Sequence, residues 1–333
     1  MEKPTIAHVA QVAGVSPSTV SRILNGTARV TPQKQAAVHR AIAQLGYQPN
    51  VIAQGLARGR SMSVGVLVQD ISSPFFGSIL HGIEKALQGS PYQPVFIDGH
   101  WRADQEDAAI SVLMGRQVDA LIIVGGTVSD VRLREIAAHL PLILLGRKAE
   151  GLERRTLRVN HRQGAYLAMR HLIDLGHTRI AHITGDETHP DARDRLDGYL
   201  AALEDARIPF DPRLLVHGDF HEASGQHCAE ALLESGQRFS AIFVGNDQMA
   251  YGVQLALYRH GLRVPDDVSL VGFDDQPFSA YTVPPLTTVR QPTTEMGLAA
   301  GHAVLKLLEG EDFVFPDLEV RLMLRDSTAR LQR

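Results

Sequence analysis

At 333 residues and 44% hydrophobic content, the chain is long enough for more than one domain and apolar enough to exclude extended disorder. One cysteine, Cys228, excludes an internal disulfide framework; no apolar run approaches the roughly 20 residues that span a bilayer, and "MEKPTIAHVA" lacks a secretory h-region, so a cytoplasmic protein is expected. The formal charge of −4 is uneven: residues 1–60 carry seven basic side chains against one acidic, +6, leaving −10 for the rest, the pattern of a nucleic-acid-binding head on a body that stays off nucleic acid.

The first predicted element is "TIAHVAQVAG", with Ile6, Val9, Ala10 and Ala13 on one stripe behind a Thr5 N-cap. Gly14 and Val15 allow a tight turn into "SPSTVSRILNG", where Ser16 caps, Pro17 takes the first helical position and Asn25-Gly26 stops the run. Val20, Ile23 and Leu24 form its apolar stripe; Ser18, Thr19, Ser21, Arg22 and Asn25 point outward. Two short helices joined this way make a helix-turn-helix. A third, "TPQKQAAVHRAIAQLGYQPN", has Thr31 as cap and Val38, Ile42 and Leu45 facing inward. From spacing alone this could be a plain three-helix cap with a solvated serine face.

From Ser63 onward, "SVGVLV", "PVFID", "DALIIVGG", "PLILLG", "RIAHITG", "LLVHGDF", "SAIFVGND" and "VSLVGFDD" read as buried parallel strands. Amphipathic stretches alternate with them, including Phe75 to Leu87, Gln105 to Leu113, Gly164 to Leu175, Arg195 to Leu203 and Gln248 to Tyr258. The body is therefore expected to be α/β. Eight units suggest two doubly wound lobes, with ligands at the carboxyl ends of the strands.

The ordered motifs "IAHVAQVAGVSPSTVSRILNG", "LGYQPN", "DISSPFF", "HLIDLGHTRIAHITG", "RLDGY", "VGNDQMAYG", "VSLVGFDD" and "PPLTTVRQP" resemble those of the LacI/GalR family of transcriptional regulators over essentially the whole chain. The resemblance implies an N-terminal all-α helix-turn-helix head (1–47), a hinge (48–61) and a two-lobed, periplasmic-binding-protein-like body of doubly wound parallel sheets (62–333). Its lobes would be residues 62–160 plus 290–320 and 161–289 plus 321–333. The implied partners are pseudopalindromic double-stranded operator DNA, a second copy of the chain and a small effector, with no cofactor, metal or membrane.

On that reading the second helix enters the major groove, where only its N-terminal side chains reach base edges: Pro17, Ser18 and Arg22, the last able to donate two parallel hydrogen bonds to guanine. Thr5, Ser16, Thr19, Ser21 and Asn25 suit phosphate oxygens, and Arg29 joins this basic face. The segment "QPNVIAQGLARGRS" could be a plain linker. The resemblance instead implies that Asn50 to Ala57 becomes helical on operator DNA with Leu56 wedged into the minor groove, and Gly55 inside that helix makes its ordering costly.

For the effector, the resemblance places Asp274, Asn246 and Phe220 after strands and Arg195 at the opening of "RLDGYLAAL", converging between the lobes. A carboxylate, a guanidinium, an amide and an aromatic face make a sugar-type set, although Asp274 and Asn246 could be strand-end caps. Phe75 and Phe76 would wall the other lobe, unless one is core. His189 and Asp191 would also line the crevice. Gly146 and Asn160 stand where many relatives carry Asp, which predicts a less acidic pocket and favours a sugar acid over a neutral sugar. Trp101 either shapes the rim or covers a helix start.

An enzyme is not expected. His217 and His221 have metal-like spacing but flank a strand end, and there is no phosphate loop, G-x-S-x-G or cysteine cluster. The alternatives are a purine-responsive regulator, since Phe220 can stack a base, and a sugar-binding protein without regulatory role.

Overall fold

The computed structural model describes residues 4–24, 30–47 and 59–331. Asn25, Arg29, Asn50, Leu56 and the proposed hinge helix lie outside the described residues. The chain divides into two compact units, residues 1–63 with 115–119 and the remainder.

In the first unit, α1 (Ile6–Ala13), α2 (Pro17–Leu24) and α3 (Pro32–Leu45) enclose a small core of Val9, Ala10, Val20, Ile23, Val38 and Ala41. The turn between α1 and α2 needs its glycine: Gly14 sits at φ 65°, a left-handed conformation that a side chain disfavours, and it lets Val15 N–H bond the Ala10 carbonyl at 3.0 Å. Val15 then packs on the core. Thr5 caps α1 through His8 N–H at 3.4 Å, and His8 Nδ1 accepts from Thr5 N–H, a capping box with histidine in the usual Glu or Gln position. Thr31 occupies the N-cap position of α3 without a side-chain capping bond, so Pro32 and the left-handed Gly46 bound that helix instead.

The body holds two sheets. The first runs β2 (Gln93–Asp98), β1 (Ser63–Val68), β3 (Ala120–Val124), β4 (Leu142–Leu145), β5 (Thr156–Leu157); the second runs β11 (Arg321–Met323), β10 (Thr287–Arg290), β9 (Ser269–Asp274), β8 (Ala241–Val244), β6 (Ile180–Thr184), β7 (Leu215–His217). The pairings β1–β3, β3–β4, β4–β5, β6–β7, β6–β8, β8–β9 and β9–β10 are parallel, and β10–β11 is antiparallel. All eight apolar runs appear as strands; β5, β10 and β11 are additional. The helices are α4 (Pro74–Leu87), α5 (Ala103–Gly115), α6 (Asp130–His139), α7 (His161–Asp174), α8 (Pro190–Asp205), α9 (Glu222–Glu234), α10 (Asp247–Arg259) and α11 (Thr293–Glu309).

The chain leaves the first sheet after β5, builds most of the second, returns as α11 to pack against α4, and ends with β11 in the second sheet. The α4–α11 seam is backbone on backbone: a Cβ on Gly82 would lie 2.2 Å from the Thr294 carbonyl, and one on Gly297 2.1 Å from that of Ile79. Gly225 and Gly252 set the same close approach between α9 and α10.

Candidate functional site

Between the two sheets lies a cavity of about 680 Å³, counting the space at its open mouth. All eight residues predicted for the effector line it: Phe75, Phe76, His189, Asp191, Arg195, Phe220, Asn246 and Asp274. Strand and helix ends place them there, because the first turn of α4, the first turns of α8 and the residues following β7, β8 and β9 all converge on one edge.

Arg195 is central, and it differs from expectation in position: α8 begins at Pro190, so Arg195 sits in the second turn rather than opening the helix. Only 4% exposed, its guanidinium lies 4.0 Å over the Phe273 ring and 3.7 Å from Asp274, and donates to the Gly245 carbonyl. Its Nε is buried with no hydrogen-bond partner, as is Asp191 Oδ1, which lies 3.3 Å from His161 Nε2 without bonding to it. Two unsatisfied polar atoms in one wall favour a polar ligand. Burial raises the pKa of Asp274 to about 6 even though Arg195 and a 2.7 Å bond from Gln291 favour its charged form. Burial also raises Asp191 and lowers His189 and His161.

Asn246 does what capping predicts while lining the cavity: its Oδ1 accepts from Met249 N–H at 3.0 Å, capping α10, and its Nδ2 donates to the Phe220 carbonyl at 2.9 Å. Phe220 is thereby held at φ 72°, a strained backbone for a bulky residue.

Sequence reasoning left Trp101 unassigned. It lines the cavity and forms an aromatic stack across the cleft: Trp101 on His189 at 4.0 Å between ring centroids, and His189 on Phe220 at 5.5 Å. Phe76 approaches Trp101 at 6.4 Å and Phe75 meets Phe76 edge-on at 5.2 Å. Trp101 is held by its N–H to Gln69 Oε1 at 3.1 Å, in a left-handed backbone at φ 54°. Ser73 Oγ also bridges the lobes, donating to Gln248 Oε1 at 2.8 Å.

The expectation of a less acidic pocket rested on Gly146 and Asn160, and neither lines the cavity. Asp70, Asp191, Asp219 and Asp274 all line it against the single guanidinium of Arg195. Asn160 instead caps α7 through Gln163 N–H at 2.9 Å. Asp70 and Asp219, in the loops after β1 and β7, join the lining without having been predicted for it.

In the head, Ser16 Oγ accepts from Thr19 N–H at 3.2 Å and lies 2.9 and 2.8 Å from the hydroxyls of Ser18 and Thr19. Thr5, Ser16, Pro17, Ser18 and Arg22 are exposed, and Thr19 and Ser21 half-buried. Arg22 Nε donates to the Ser18 carbonyl at 3.3 Å. These seven residues include the α2 N-terminus that a groove would meet.

A helix-turn-helix unit with a compact apolar core, joined in one chain to a two-lobed α/β body with a ligand-sized cavity at its strand ends, defines a regulator of the periplasmic-binding-protein-like kind. Residues 5–50 match the profile "Bacterial regulatory proteins, lacI family" and residues 169–328 the "Periplasmic binding protein-like domain". The chain is 37% identical over 304 residues (91% of this chain, 89% of the relative) to the "HTH-type transcriptional regulator GalR" of Salmonella typhimurium strain LT2. It superposes with a TM-score of 0.88, at 30% identity over 98% of this chain and 100% of the other, on the lac repressor dimer bound to operator and the anti-inducer ONPF. With the CelR–cellobiose complex the TM-score is 0.72, at 32% identity, covering 97% and 99%. The chain belongs to the lacI family of bacterial regulatory proteins and is a DNA-binding transcriptional regulator.

Proposed function

We propose that the chain is a dimeric repressor whose operator affinity is controlled by a neutral carbohydrate held in the interlobe cavity. The observation that carries this is the lining: four carboxylates and one guanidinium around a stack of aromatic rings. Sugar hydroxyls donate to Asp274 and Asp191 and accept from Arg195, while the C–H face of the ring lies on Phe220 or Trp101. An anionic sugar acid would meet the buried Asp274 and, nearer the mouth, the more exposed Asp70, Asp191 and Asp219. The solved CelR relative holds cellobiose, which agrees with this class. Asn246 holds Phe220 and caps α10 with one N–H and one oxygen lone pair, which leaves its second N–H and second lone pair for a sugar hydroxyl.

For DNA, Pro17, Ser18 and Arg22 read bases while Thr5, Ser16, Thr19 and Ser21 bond phosphates; Asn25, Arg29, Asn50 and Leu56 complete the set. The capping role of Thr5 is compatible with this, since capping uses an oxygen lone pair and leaves the hydroxyl hydrogen to donate, whereas Ser16 would exchange one of its bonds to the Ser18 or Thr19 hydroxyl for the phosphate. The dimer is supported by the lac repressor dimer and by an exposed apolar patch of Tyr258, Phe278, Tyr281 and Val283. Gln254 Nε2 to the Pro284 carbonyl and Tyr251 to Ser279 tie its two segments together.

A thermal-shift screen of neutral sugars, sugar acids, sugar phosphates and purines, followed by operator binding with and without each hit, tests the reading. A neutral sugar that stabilises the protein and changes operator affinity is expected. A sugar acid or a purine as the sole hit overturns the ligand class.

A further inference from the structure

The N-terminus of α8 has two faces. His189, Asp191 and Arg195 turn to the cavity already described, while Pro190, Arg193 and Asp194 line a second pocket of about 810 Å³, its open mouth included. Its other walls are Gly126 after β3, Arg147 and Lys148 after β4, and Arg158 after β5. Four cations from three separate segments thus face one carboxylate, on a body whose overall charge is strongly negative.

The pairing of these cations is incomplete. Arg158 uses one terminal nitrogen on Asp194 at 2.8 Å, but its Nε is buried without a hydrogen-bond partner. Arg147 is 9% exposed and anchored by Val128 and Gly126 carbonyls and by Asp130 at 3.3 Å, so it supplies a fixed positive charge. Lys148 and Arg193 are exposed, one from each lobe. The first turn of the 16-residue α8 adds the positive end of its dipole. Holding like charges together in a partly desolvated pocket is unfavourable until an anion enters.

We infer that this pocket binds an anion of the phosphate or carboxylate class, which bridges the lobes through Lys148 on one side and Arg193 on the other, beside the fixed guanidinium groups of Arg147 and Arg158. This does not depend on the carbohydrate reading, because none of the pocket's residues lines the interlobe cavity. A bound anion contacts both lobes at once, so it favours whichever lobe arrangement brings Lys148 and Arg193 together.

The test uses the full chain, with inorganic phosphate and acetate as separate probes and sodium chloride at matched ionic strength as reference, read by thermal shift and calorimetry. Saturable stabilisation by phosphate or acetate beyond that of chloride is expected, and the two arms identify the anion class. In the Lys148→Ala/Arg193→Ala variant, whose changes are confined to exposed side chains, the dissociation constant rises at least tenfold. Asp274→Ala keeps the anion response while losing any sugar response, which separates this site from the cavity. Stabilisation that follows ionic strength alone, or that persists undiminished in the double variant, overturns the inference.

Discussion

Replacing Asp274 by Asn removes one charge from the cavity and almost no volume. The carboxylate is 6% exposed, and its charged form accepts from ligand hydroxyls more strongly than an amide oxygen does. A hydrogen bond to a charged group contributes about 1.5–3 kcal/mol, so the sugar dissociation constant is expected to rise roughly ten- to hundredfold. The pH dependence has a definite sign. Hydroxyl donors favour the ionised form, and the pKa is raised to about 6, so wild-type affinity strengthens as pH rises through 6 and then levels, while the Asn variant loses that component and keeps only what Asp191 and His189 contribute. Stability moves in the opposite direction. A carboxyl whose folded pKa exceeds its unfolded value loses stability as pH rises from its ordinary value of 3.8 to about 6. At neutral pH the Asn variant is relieved of the cost of a buried charge, and the Arg195 guanidinium left without its carboxylate opposes that gain. Calorimetric titration of the screened sugar between about pH 5 and pH 8, with urea melts of both proteins, gives both readouts. An unchanged affinity, or a variant that keeps the wild-type pH slope, would refute the assignment of Asp274 as the hydroxyl acceptor.

Arg195→Ala is expected to destabilise the fold by about 3–5 kcal/mol as well as abolish the sugar response, because it strips a buried carboxylate of its partner and orphans the Gly245 carbonyl; urea melts measure this, and a loss under 1 kcal/mol contradicts it. Since Trp101 is the sole tryptophan and stacks on His189, sugar binding should change its emission, and a saturating ligand that leaves the spectrum untouched would remove Trp101 from the cavity wall. Arg22→Ala should weaken specific operator binding far more than nonspecific binding, by about 1–3 kcal/mol at its base pair; filter binding that shows equal losses on both DNAs contradicts base readout. Tyr281→Asp with Val283→Asp should convert the dimer to monomer in sedimentation velocity, with sugar binding retained.

The parts of this molecule that depend on local patterning were legible. The three head helices follow from caps, a turn glycine and apolar spacing, and eight of the described strands from their apolar runs. The other three were not legible: β5 has two residues, β11 three, and β10, reading Thr-Thr-Val-Arg, owes its burial to β9 and β11 on either side rather than to its own hydrophobicity. The start of α8 was misplaced because its first turn, Pro190 to Arg193, is polar on the face that meets two pockets, so apolar periodicity begins only later. In the cavity, residues at strand ends were found because topology places them there. Trp101 comes from a loop held by the distant Gln69, and Asp70 and Asp219 from loops shaped by their own side-chain turns with Ser72 and Ser224, none of which apolar periodicity reports.

The seam between α4 and α11 also constrains how the molecule is made. Gly82 is synthesised early, but the helix that covers it arrives only with Gly297, after nearly all of the second sheet has been translated. At about 5–20 residues per second, the groove on α4 stays uncovered on the ribosome for roughly 10–40 seconds. During that interval the nascent first lobe exposes a bare, glycine-floored helix face, the kind of surface a chaperone shields. A message with slow codons before α11 would lengthen the exposure, whereas a chain cut anywhere before residue 293 would never close its first lobe at all.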